Sequence, residues 1–170
     1  MRARTLVVLF VVGLVAVGVA VAGVNRNWSV HLTGEFEVPV RQTDAQGQAI
    51  FHLAKDGSSL DYRLIASNID NVVAAHIHLG PATINGPVVA FLYGNAPAAG
   101  GPQNGVLAVG DVTAADLIGP LAGQPLSALV AAMRAGNTYV NVHTNDGVAP
   151  IDTGPGDFPG GEIRNQIPGD

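Results

Sequence analysis

The side chains able to do chemistry in this 170-residue chain are few and grouped. Cys is absent, which excludes thiolate metal sites, Cys nucleophiles and disulfides. There is no Gly-x-Ser-x-Gly, and Ser29, Ser58, Ser59, Ser67 and Ser127 stand in ordinary contexts, so a nucleophilic hydrolase is disfavoured. Five His remain. Two of them form His76-Ile77-His78 and a third closes Asn141-Val142-His143. Alternate residues of a strand share a face. His76 and His78 therefore point one way, opposite Ala75, Ile77 and Leu79, and His143 points away from Val140 and Val142. Three imidazoles are the ligand set of many open Zn and Cu sites. Ca and Mg want oxygens instead. The expected metal ligands are thus His76, His78 and His143, for Cu or Zn. Asn141 and Glu162 are the oxygens expected to take the other ring N–H groups, because ligand imidazoles usually donate to one. Arg164 lies on the same side of its strand as Glu162. Affinity is expected to fall below pH ~6.5, since ligand His must be neutral. The competing reading is that these are surface histidines bonded to their neighbours, with Glu162 and Arg164 an exposed ion pair. Spacing alone does not separate the two. His31 and His52 fall on separate outward faces and are expected to do nothing specific.

These residues need strands to carry them. Alternating or β-branched segments bounded by turn residues predict strands over 28–33, 48–53, 60–64, 72–79, 86–93, 106–112, 139–144 and 162–167. Asp56-Gly57 is a hairpin turn signal. Thr113 and Asp116 resemble a capping box at the start of a short helix. A second helix is expected over 127–135, closed by Gly136. The apolar partners of each alternation predict a core of Phe51, Leu53, Leu60, Leu64, Ile77, Leu79, Val140, Val142 and Ile163. Residues 145–160 form a long loop, of the kind that often carries function. Without a regular βαβ alternation, the expected class is all-β: an antiparallel β-sandwich of about eight strands with one or two short helices.

Composition agrees. Gly and Pro, 22 and 11 residues, make up about 19% of the chain against an average of about 12%. Only 12% of residues are charged and 48% are hydrophobic, which excludes a disordered or coiled-coil chain. The net charge of −5 argues against a nucleic-acid partner, which would need a basic patch. Met1-Arg2-Ala3-Arg4, the uncharged aliphatic run that follows, and Ala20-Val21-Ala22 read as a secretory signal peptide over 1–22. An uncleaved anchor is the alternative, at the short edge of what spans a bilayer. Loss of the two leader Arg would leave six basic against 13 acidic residues, a mature charge of −7. The mature segment, 23–170, is expected to be one domain that is secreted or held in the cell envelope.

Four blocks of this chain resemble the CHRD domain, the module named after chordin. Leu32-Thr33-Gly34-Glu35-Phe36-Glu37-Val38-Pro39 is similar to that family's opening motif. Ala75-His76-Ile77-His78-Leu79-Gly80, followed by Asn85-Gly86-Pro87-Val88-Val89, resembles its central signature. Tyr139-Val140-Asn141-Val142-His143-Thr144 and Gly161-Glu162-Ile163-Arg164-Asn165-Gln166 resemble its last two blocks. Asn165 stands where the family usually has Gly, so no positive φ is expected there. Residues 145–160 are longer than the usual link. The resemblance implies an exported β-sandwich, found in animals in an extracellular growth-factor antagonist and in bacteria in small secreted proteins. It also places all three His inside family blocks. Copper–zinc superoxide dismutase offers a looser analogy, a sandwich with a His-x-His strand on its outer face. Its zinc subsite and disulfide have no counterpart here, so its activity is not carried over. The expected function is a secreted binding module for a metal and for a protein or surface partner. The alternatives are a structural or adhesive domain without metal, and a metalloenzyme.

Overall fold

Strand alternation builds the core of the described residues. The computed structural model describes residues 25–94 and 96–170, so the expected signal peptide lies outside the described residues. Eight strands form: β1 (Asn27–Thr33), β2 (Gln46–Leu53), β3 (Leu60–Asp70), β4 (Val72–Leu79), β5 (Val88–Tyr93), β6 (Pro102–Val112), β7 (Thr138–Thr144) and β8 (Ile163–Gln166). One helix, α1 (Leu126–Arg134), precedes β7. The expected helix at Thr113 is a single 3-10 turn, and Thr113 and Asp116 do form the reciprocal capping box.

The strands make one antiparallel sheet in the order β5-β4-β7-β8-β1-β2-β3-β6. The sheet curls until its edge strands β5 and β6 lie against each other, giving a sandwich-like, nearly closed barrel. The Tyr62 hydroxyl of β3 donates to the Leu92 carbonyl of β5 at 2.7 Å and holds the two sides together. Curling lets one face of every strand share a single core. Leu32, Ala49, Phe51, Leu64, Ala75, Ile77, Val140, Val142 and Ile163 are all buried there. Each large side chain among them contributes about 1.5–3 kcal/mol of gross burial free energy, set against the cost of ordering the chain. Of the expected core, Leu79 is the exception. It ends β4 and is only half-buried, packed against the margin of the core.

Helix α1 adds Leu126, Leu129, Val130 and Met133 to the same core. It stops at Gly136, whose φ of 65° is left-handed. The Gly136 and Asn137 amides donate back to the Met133 and Ala132 carbonyls, satisfying the helix end before β7 begins.

Candidate metal centre

Antiparallel pairing puts directly opposed residues on the same face of the sheet. Between β4 and β7 the register opposes Ala74 to His143, His76 to Asn141, and His78 to Tyr139. Between β7 and β8 it opposes Asn141 to Arg164. The face turned away from the core therefore carries His76, His78, Tyr139, Asn141, His143 and Arg164 as one contiguous patch. Register shifts between β4 and β5 flank His76 and His78 and set Phe91 opposite His76. Such irregularities re-aim side chains, as is common beside functional sites.

The three imidazoles converge. One ligand nitrogen from each of His76, His78 and His143 lies within 4.8 Å of the other two. His76 Nδ1 and His143 Nε2 are 3.1 Å apart. Nitrogens bound to one ion at about 2.0–2.1 Å in a trigonal or tetrahedral site sit about 3.3–3.6 Å apart, so a pair at the 4.8 Å limit must close by more than about 1 Å through side-chain rotation. His78 is buried at 8% exposure, while His76 and His143 are half-buried.

The hydrogen bonds select the tautomers. His78 Nδ1–H donates to the Gly86 carbonyl at 2.9 Å, and His143 Nδ1–H donates to the Pro159 carbonyl at 2.9 Å. Both rings then carry their lone pairs on Nε2. His143 Nε2 meets His76, whereas His78 Nε2 is buried with no partner among the described residues. A buried, unpaired acceptor is costly, and a cation satisfies it. Burial is the main force on all three rings. It pushes His76 down to about 3, helped by the neighbouring His143 and His78. It pushes His78 down to about 4, against the Gly86 bond and with His143 and Arg164. His143 is lowered too, against the Pro159 bond. Each ring is therefore a neutral donor at physiological pH.

Around the rings the packing is aromatic. The His78 ring stacks on Tyr139 with centroids 4.7 Å apart and planes 9° apart. The Arg164 guanidinium lies 3.6 Å from the Tyr139 ring centroid. Because β7 runs between β4 and β8, Tyr139 separates His78 from Arg164. The Phe91 ring meets His76 edge-on, with centroids 4.5 Å apart.

Glu162 and Arg164 are fully buried and do not form the exposed ion pair that alternation suggested. Three loops cover this face and turn both residues into clamps. Arg164 donates to the Asn85 side chain at 2.9 Å and to the Ala82 and Ile84 carbonyls at 3.0 and 2.9 Å. That fixes the loop bearing the Gly86 carbonyl, and so the tautomer of His78. Glu162 accepts from the Thr43 and Thr144 hydroxyls, both at 2.6 Å, and from the Gly156 amide at 2.8 Å. That fixes the loop bearing the Pro159 carbonyl. The ring N–H groups thus go to backbone carbonyls, where Asn141 and Glu162 were expected to receive them. Asn141 is buried, with its Oδ1 unpaired among the described residues. His31 and His52 stay exposed, away from the patch, and His52 bonds only to the Asn27 side chain at 2.6 Å.

Alternation gave no sign of two further members. Tyr139 looked like an ordinary strand residue, though its hydroxyl accepts from the Gly86 amide at 2.9 Å. Glu37 is 3% exposed, and burial raises it to about 7 against the pull of Arg164 and Arg41.

A family model for the CHRD domain matches residues 28–167. No curated protein and no solved structure matches the chain. The matched segment holds all eight strands but the first residue of β1, together with every residue of the histidine patch and of the clamps behind it. This chain therefore belongs to the CHRD-domain family.

Proposed function

We propose that this protein is an extracellular CHRD-domain module that binds Cu or Zn through His76, His78 and His143. One observation carries the reading: the buried His78 Nε2 lone pair has no partner among the described residues, yet it faces two more imidazole nitrogens. The carbonyls of Gly86 and Pro159 hold the rings in the ligand tautomer, as oxygen partners do in metal sites. The family is of an extracellular type, and among the described residues no helix is long and apolar enough to cross a membrane. The leader-like run over 1–22 supports export by the same route. Glu162 and Arg164 would be the natural acid and anion clamp of a metalloenzyme. Both are committed to loop contacts, so the reading stops at binding.

A metal-free adhesive module is the second reading. It draws on the 3.1 Å contact of His76 with His143, which satisfies two of the three rings directly. Calorimetric titration with Cu(II) and Zn(II) separates the two. One ion per chain, lost in His143→Ala and kept in His52→Ala, is the expected result. Equal weak binding by the parent and both variants would leave only the metal-free module.

A further inference from the structure

The charges and donors around the centre discriminate among ions. We infer that the three-histidine site selects Cu(I) over Zn(II); this rests on the metal-site reading above.

All three donors are neutral nitrogens. The acceptors behind His78 and His143 are carbonyls. A carboxylate there would make the ring a stronger base and help to hold a doubly charged ion, and a carbonyl does this much less. The carboxylate nearest in the covering loops, Glu162, spends its oxygens on Thr43, Thr144 and Gly156. Glu37 lies beyond Asn141 and is partly protonated at neutral pH. Two buried charges stand behind the site: the Glu162 carboxylate, held by its three donors, and the Arg164 guanidinium, which lies on the Tyr139 ring that stacks on His78 and acts on His78 as a nearby cation. Desolvation cost rises steeply with ionic charge, and repulsion from a buried cation rises in proportion to it. Both therefore weigh more heavily on a dication than on Cu(I).

Coordination number points the same way. Zn(II) wants four ligands, and Cu(II) a tetragonal set. Three nitrogens complete a trigonal Cu(I) site. His78 is buried against Tyr139, and the edge of Phe91 covers His76. A fourth ligand for a dication would have to be solvent or an anion entering past these rings.

The test is anaerobic titration of the protein with Cu(I), kept reduced by ascorbate, against bathocuproine disulfonate, and with Zn(II) against a chelating dye. Cu(I) is expected to bind one per chain, at least about 100-fold more tightly than Zn(II). His76→Ala, whose folding is checked by circular dichroism, should lose that preference by losing Cu(I). Zn(II) bound as tightly as Cu(I), or Cu(I) affinity unchanged in His76→Ala, overturns the inference and leaves the metal-site reading standing if Zn(II) is held. Failure to hold either metal overturns both.

Discussion

Replacing Glu37 by Gln should stabilise the protein, and more so as pH rises. The carboxyl sits at 3% exposure behind the histidine patch, and burial raises its pKa from 4.5 to about 7. A raised carboxyl pKa means that the folded state binds the proton more tightly than the unfolded chain. The native state then gives up stability as pH climbs from 4.5 to about 7, and the full penalty applies above that. A shift of this size corresponds to about 1 kcal/mol of penalty at pH 5 and about 3 kcal/mol at pH 8. Gln keeps the shape and never ionises. Relative to the parent, Glu37→Gln should therefore gain about 2 kcal/mol more at pH 8 than at pH 5. Urea unfolding in EDTA, followed by the fluorescence of the sole Trp, Trp28, measures this, because Trp28 is 3% exposed when folded. The depressed imidazoles titrate identically in both chains and cancel in the difference. Parallel pH profiles for parent and variant would refute the claim that Glu37 is held uncharged by burial.

Three other outcomes follow from the same region, and a fourth, a control, from the turn between β2 and β3. Because burial depresses His76 to about 3 and His78 to about 4 and lowers His143 as well, metal affinity should fall by much less than about tenfold between pH 7 and 6; a tenfold calorimetric loss over that range would contradict it. Arg164→Met removes a buried guanidinium that binds Asn85, Ala82 and Ile84, and should cost about 3–5 kcal/mol in urea unfolding while exposing residues 80–87 to limited proteolysis. Gly161→Ala places a Cβ 2.5 Å from Asn141 Oδ1 and 2.6 Å from Glu37 Oε1 at a φ of 127°, so it should lower Tm strongly. Gly57→Ala, with a φ of 74° and nothing within 4 Å, should cost only about 1 kcal/mol.

The core was legible because alternation reports it directly. Ala75, Ile77, Val140, Val142 and Ile163 face inward as their spacing requires, and the opposite parity brings His76, His78 and His143 to one outer face. Neither the closure of the strands into one curled sheet nor the adjacency of β4 and β7 was legible. Strand order is a long-range property, and the contact of His76 with His143 spans 67 residues. The burial of Glu162 and Arg164 was missed for a related reason. Period-two reasoning assumes that the face opposite the core meets water, whereas here loops reach back over it.

That second layer explains why so many polar side chains are fully buried in a small domain. Polar groups are buried at tolerable cost only where they are bonded; Arg164 is bonded through its terminal nitrogens to a loop, with its Nε unpartnered among the described residues, and Glu162 through two Thr hydroxyls and one loop amide. Arg164 engages the loop after β4, and Glu162 engages the one after β7. Those two loops in turn supply the carbonyls that orient His78 and His143. The apolar face of the sheet thus supplies the stability of the fold. The polar face, overlaid by loops of little regular structure, uses that stability to hold His78 and His143 in fixed tautomers, with the His78 Nε2 lone pair unspent. A metal site needs this division, because a solvent-exposed face would leave the rings free to protonate and turn, and an apolar one would leave nothing to orient them.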